Sequence, residues 1–299
     1  MAHLDRRHDD KRIIHESGDL YKEAMSVNYQ QQIFEEGQPS AKDSALQVLE
    51  LSVGYGSHSI ISHLTLTIPR GELTVIVGPN ACGKSTLLRS LVRVIPSQGS
   101  ILLEGADIYS LGAKEVARKM GLLPQSPVAP DGIVVADLIA RGRYPHQDIL
   151  GRWTKADEKA VESAMRRAHV LDLREKRIDE LSGGQRQRVW LALVLAQDTP
   201  IVLLDEPTTY LDITHQVEVL NLARDLQRHG VTVVMVLHEL TLAFRYATHL
   251  IVMKDGAIQA TGPVEDVVTE ELIKRVYELD CRLVKDPESG RPIVVPRLT

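Results

Sequence analysis

Leu73-Thr74-Val75-Ile76-Val77-Gly78-Pro79-Asn80-Ala81-Cys82-Gly83-Lys84-Ser85-Thr86 is the stretch on which the fold turns. Residues 73–77 are apolar and β-rich, and they feed directly into a glycine loop. Behind the loop, Leu87, Leu88, Leu91 and Val92 share one helical face. Strand, loop and helix in that order give Gly78-x4-Gly83-Lys84-Ser85 the context of a phosphate-binding loop. Glycines let the backbone curl so that several N–H groups face an anion, and the helix adds its positive end. The candidate phosphate contacts are Gly78, Pro79, Asn80, Ala81, Cys82, Gly83, Lys84, Ser85 and Thr86. In such a loop Lys84 reaches the β- and γ-phosphates and Ser85 ligates Mg²⁺.

Ile201-Val202-Leu203-Leu204-Asp205-Glu206-Pro207 supplies the complement. A buried strand delivers two carboxylates at its carboxyl end, where ligands sit in parallel α/β sheets. Asp205 is suited to hold the Mg²⁺, and Glu206 to polarise the attacking water. A second apolar run spans 231–237, and Val219, Leu222, Ala223 and Leu226 mark a helix between the two, closed by Arg228, His229 and Gly230. Apolar strands joined by crossover helices predict an α/β protein with a buried parallel sheet. Leu64, Leu66 and Ile68 alternate with polar residues as in a half-buried strand. From about 126 to 180 the pattern turns helical, with a capping-box-like start at Thr154 and Asp157.

The chain lacks the Asn-Lys-x-Asp of guanine readers. It has instead Leu181-Ser182-Gly183-Gly184-Gln185, which opens a second helix with an anion-binding start. One ATP cannot use both starts in one chain if each sits on its own subdomain. A head-to-tail dimer, each copy facing the other's phosphate loop, resolves this.

Composition narrows the rest. Of 299 residues, 43% are hydrophobic and 25% charged, which excludes wholesale disorder. A net charge of −5 argues against a nucleic-acid partner. Two cysteines, Cys82 and Cys281, exclude a disulfide framework and fit a reducing compartment. The longest apolar run, 189–196, is far short of a membrane span. The amino terminus has no apolar segment behind its charges, so a cytosolic chain is expected. Residues 1–45 are acid-rich and carry His3, His8 and His15. They read as a mobile or weakly helical extension rather than a metal site.

In combination and in order, these motifs resemble the nucleotide-binding subunits of ABC transporters, over about residues 46–299. The resemblance implies a P-loop NTPase core with a parallel or mixed sheet, an antiparallel β subdomain, and an inserted helical subdomain at about 126–180. It implies ATP hydrolysis with Mg²⁺, a head-to-tail homodimer and two integral-membrane permease subunits. An extracytoplasmic substrate-binding protein would act indirectly, and the subunit would lie at the cytoplasmic face of the cell membrane. Residue by residue, Tyr55 falls where an aromatic stacks on adenine, the alternative being a buried strand tyrosine. Gln125 matches the glutamine that senses the γ-phosphate and joins Ser85 and Asp205 at the metal. Ser182, Gly183, Gly184 and Gln185 would meet ATP from the opposite subunit. Asp212 matches a loop aspartate at the dimer interface, and His238 a switch histidine at the γ-phosphate. Arg141-Gly142-Arg143-Tyr144-Pro145-His146 and residues 206–216 resemble the ATPases of ferric siderophore importers and of the related haem and cobalamin importers. A soluble ABC protein of DNA repair or translation would need a long coiled-coil insertion or two nucleotide-binding units, and neither is present.

Cys82 stands where this family commonly has a small or polar residue. Positive potential from the loop, Lys84 and the helix start predicts a thiol pKa below that of free cysteine, and faster labelling than Cys281. The alternative is a small, shielded space-filler.

Overall fold

The computed structural model describes residues 43–56, 58–148 and 151–298. The extension expected over 1–45, His3, His8 and His15 included, lies up to residue 42 outside the described residues. Ser44 and Ala45, read as its last residues, are buried and open strand β1 (Ser44–Tyr55). β1 pairs antiparallel with β2 (His58–Pro69), where Leu64, Leu66 and Ile68 are buried as their alternation requires. Next come β3 (Leu73–Val77), α1 (Lys84–Leu91), β4 (Gln98–Leu103) and β5 (Ala106–Asp107). Strands β2, β1, β4 and β5, in that order, form an antiparallel sheet.

Helix α2 (Ala113–Lys119) leads into β6 (Met120–Leu123), followed by α3 (Val135–Ala140), α4 (Lys155–Arg167) and α5 (Gly183–Ala196). Thr154 caps α4 in a full capping box with Asp157. The Asp157 carboxylate, itself buried, also accepts from Arg143 Nε at 2.9 Å, and Arg143 donates to the Ala196 carbonyl at the end of α5. This ion pair therefore ties the start of one helix to the end of another. Burial alone would raise the Asp157 pKa, but the hydrogen bonds from Thr154 and Arg143 outweigh it and hold it low.

Then follow β7 (Ile201–Asp205), α6 (Ile213–Arg228), β8 (Thr232–Val236), α7 (Leu240–Tyr246), β9 (His249–Lys254) and β10 (Ala257–Gly262). The six-stranded sheet runs β10-β9-β3-β8-β7-β6, all parallel except β10. Two short helices, α8 (Val264–Val267) and α9 (Glu270–Tyr277), precede a hairpin of β11 (Cys281–Lys285) and β12 (Pro292–Pro296).

The parallel strands are buried on both faces, and the two-residue period sorts their side chains into two cores. Val202, Leu204, Val233 and Met235 pack with α5 and α6. Ile201, Leu203, Val234 and Val236 pack with α1 and the antiparallel sheet. Continuous apolar strands are what such double coverage demands. Everything polar is thereby pushed to the strand ends.

Candidate active site at the carboxyl ends of the parallel strands

β3 runs directly into Gly78, which has φ +156°, and a Cβ there would lie 2.2 Å from the Met253 carbonyl oxygen. Only glycine fits this approach. The loop then passes Ala81 at φ +60° and reaches Gly83, the left-handed N-cap of α1. Lys84 is buried, and its ammonium lies in the loop, donating to the Gly78 and Pro79 carbonyls at 2.8 and 2.7 Å.

β7 ends on Asp205, whose side chain is fully buried. Its Oδ1 accepts from Ser85 Oγ at 2.7 Å, while Oδ2 is buried without a hydrogen bond, 3.9 Å from Arg89. Burial pushes the Asp205 pKa up, against the pull of Ser85 and Arg89. The neighbouring Glu206 takes a left-handed backbone, φ +53°, and its carboxylate is shared. Oε1 lies 2.6 Å from His238 Nε2, and Oε2 accepts from Gln125 Nε2 at 2.8 Å and Thr209 Oγ1 at 3.3 Å. Gln125 follows β6 and His238 follows β8, so strands far apart in sequence converge on one carboxyl group. The pocket bounded by the loop, Gln125, Glu206 and His238 has a volume of about 450 Å³.

A phosphate chain suits this pocket. It offers a curled backbone, a lysine whose ammonium is held by two carbonyls and the Cys82 sulfur, all uncharged, and a helix start. The orphaned Asp205 Oδ2 and the Ser85 hydroxyl are hard oxygen donors, which fit Mg²⁺. Comparisons with known proteins agree. The ABC transporter family model matches residues 61–209. The probable siderophore transport system ATP-binding protein YusV of Bacillus subtilis is 51% identical, over 85% of this chain and 93% of its own length. The ferric enterobactin transport ATP-binding protein FepC of Escherichia coli is also 51% identical, over 83% of this chain and 92% of its own. The chain belongs to the ABC transporter family. Among solved structures, cbiO1 from Clostridium perfringens, part of the ABC transporter complex cbiONQ, superposes with a TM-score of 0.67 at 28% identity, covering 78% of this chain and 94% of cbiO1.

In this ABC ATPase the remaining candidate residues lie outside the pocket walls. Ser182 caps α5 in a capping box with Gln185, and a side chain added at Gly183 would meet nothing within 4 Å. Gly183 is open to the outside, whereas a Cβ at Gly184 would touch Leu211 Cδ2 at 3.4 Å. Asp212 caps α6 and accepts from His215 N and Nδ1, contacts that hold its pKa low. Tyr55, the last residue of β1, is half exposed, which removes the buried-tyrosine alternative.

Cys82 corrects the expectation. Its thiol is 4% exposed, and burial raises its pKa more than Lys84, 3.8 Å away, lowers it. Desolvation of a buried thiolate outweighs the positive field of the loop. Cys281 is equally buried and is also raised, by burial first and then by Glu270. Two partners of the carboxylates were missed, Thr209 and Arg89. Arg89 was legible: four residues after Ser85 on α1, it shares that residue's face.

Proposed function

We propose that this ATPase powers import of an iron–siderophore complex through a membrane permease. The observation that carries the reading is 51% identity, over most of both chains, to two ATP-binding proteins named for siderophore and ferric enterobactin transport. Among the described residues no helix is long and apolar enough to cross a membrane. Two permease subunits would hold a pair of these ATPases at the cytoplasmic face, and an extracytoplasmic binding protein would deliver cargo. Residues 46–299 then act as the nucleotide-binding domain, with about 126–180 as its helical subdomain.

In the mechanism, Lys84 turns from the loop carbonyls onto the β- and γ-phosphates, while the backbone from Gly78 to Thr86 wraps them. Ser85, Asp205 and Gln125 would hold Mg²⁺, which would offset the negative charge of the phosphates. Glu206 orients the water, but both of its oxygens are engaged by His238, Gln125 and Thr209. One lone pair of Oε1 stays available for a water, and a bound γ-phosphate would offer His238 and Gln125 a second partner. Ser182, Gly183, Gly184 and Gln185 reach the nucleotide of a second copy, with Asp212 at the interface and Tyr55 against adenine. The exposed, open start of α5 supports that arrangement.

Reconstitution with the permease in vesicles tests the transport reading. ATPase activity should rise with a ferric-siderophore-loaded binding protein, and stimulation by haem or cobalamin alone would reassign the cargo. Mixing Lys84→Ala with Ser182→Arg subunits should restore hydrolysis that neither has alone. No recovery would defeat the head-to-tail dimer.

A further inference from the structure

Asp205 is the most enclosed carboxylate of the site, with a side chain at 0% exposure, next to a second acid, Glu206. Lys84 does not neutralise it, because its ammonium is held by Gly78 and Pro79. Ser85 satisfies Oδ1 with a neutral hydroxyl. Oδ2 has no hydrogen bond, and among the described residues the cation within ion-pairing distance is Arg89, at 3.9 Å. The pair is asymmetric: the Arg89 side chain is 34% exposed, so it can swing away, whereas Asp205 cannot.

We infer that Arg89 is a displaceable counter-ion of Asp205, a positioning residue that holds the carboxylate ready and competes with the incoming cation for it. Helix geometry supports the pairing, since Ser85 and Arg89 stand one turn apart and bring a hydroxyl and a guanidinium to the two oxygens of one carboxylate. A positive charge so close to a cation site repels the cation as well as stabilising the empty carboxylate. Arg89 thus weakens metal binding while supporting the metal-free fold.

The inference rests on the reading that Asp205 holds the cation, and the test separates the two. Mn²⁺, standing in for Mg²⁺, is titrated into the full chain with a non-hydrolysable ATP analogue and followed by electron paramagnetic resonance. Asp205→Asn should weaken Mn²⁺ binding; if it does not, the reading of Asp205 fails. Arg89→Met should tighten binding by roughly 3- to 10-fold, as expected for one nearby screened charge, and Arg89→Lys should stay near wild type. Arg93→Met is the control, because that guanidinium is committed to the Ile108 and Leu111 carbonyls. Arg89→Met should also melt below wild type without divalent cation, with saturating Mn²⁺ closing the gap. If Asp205→Asn weakens binding while Arg89→Met leaves it unchanged or weaker, or if the melting deficit persists with Mn²⁺, Arg89 is a packing residue and the inference falls.

Discussion

The two ends of the parallel sheet are built on opposite plans. At the carboxyl end lie an ammonium, two buried carboxylates and a histidine, with an unsatisfied charged oxygen on Asp205 and left-handed backbone at Ala81 and Glu206. At the amino end the charges are paired, as in Arg70 and Lys119 with Glu104, and the hydrogen bonds that fasten the strands are neutral. Thr232 Oγ1 accepts from Gly71 N at 2.9 Å, Thr248 Oγ1 accepts from Leu73 N at 2.8 Å, and Gln227 donates to the Gly71 carbonyl. Orphans occur there too, at Thr74 Oγ1 and His249 Nδ1, but both sit on uncharged groups. The carboxyl end thus keeps a carboxylate oxygen without a hydrogen bond where a ligand can reach it, while the other end fastens the strands together. Substitutions at the two ends should therefore fail in different ways.

The largest effect belongs to Glu206→Gln. The amide keeps the shape and can still contact Gln125 and His238, but it cannot draw a proton from water. Turnover should fall roughly 10²- to 10⁴-fold, the usual worth of a positioned base, with ATP affinity retained. Single-turnover hydrolysis and nucleotide binding on the same preparation check both halves. Near-normal turnover would move the base elsewhere and break the contrast.

Acid should separate the ends next. Burial lowers the pKa of His249, at the start of β9, from 6.5 to about 4. Between those values the unfolded chain binds the proton and the folded chain does not, so stability present above pH 6.5 is lost as pH falls toward 4. The full loss is roughly 3 kcal/mol. Asp205 has the opposite sign: its folded pKa is raised, so its contribution is present in acid and lost as pH rises through that value. Denaturant melts from pH 7 to 4 should show a slope that His249→Leu flattens and Asp205→Asn steepens. Parallel curves for wild type and His249→Leu would mean the histidine is protonated in the fold.

Thr248→Val probes the neutral clamp. It orphans the buried Leu73 N–H without changing side-chain shape much, at a cost of about 1–3 kcal/mol. The expected result is a lower denaturation midpoint with unchanged ATPase rate per folded molecule. A fall in rate at full folding would show that the amino end also shapes the site.

How much of this was legible depended on whether the signal was local. Strand, loop and helix around Gly78 and Lys84 announce themselves through period and glycine spacing, and Ser182 with Gln185 through its cap. Gln125, Glu206 and His238 could each be named, but their meeting on one carboxylate depends on strand order, which no local pattern carries. Leu250-Ile251-Val252-Met253 is too short for periodicity to separate strand from helix, and pairing with β3 decides it. Arg143 and Asp157 were visible only as a motif fragment and a cap, and their buried pairing needed α4 and α5 in place.

Cys82 provides the smallest effect and the finest test. Its thiol lies at the charged end of the sheet, beside Lys84, yet burial dominates its pKa. Cys281, on the terminal hairpin, is buried to the same degree and shifted the same way. If access and desolvation set reactivity, a maleimide should modify both thiols slowly and at similar rates in the folded protein, and both rapidly once urea unfolds it. Mg-ATP should change neither rate much, because the wall that shields Cys82 is protein and not nucleotide. Mass spectrometry of briefly labelled protein reads each site separately. Fast, nucleotide-protected labelling of Cys82 alone would mean that the loop opens often enough for its positive field to act on an exposed thiolate. The charged end of the sheet would then be mobile, and its contrast with the clamped amino end one of dynamics as well as charge.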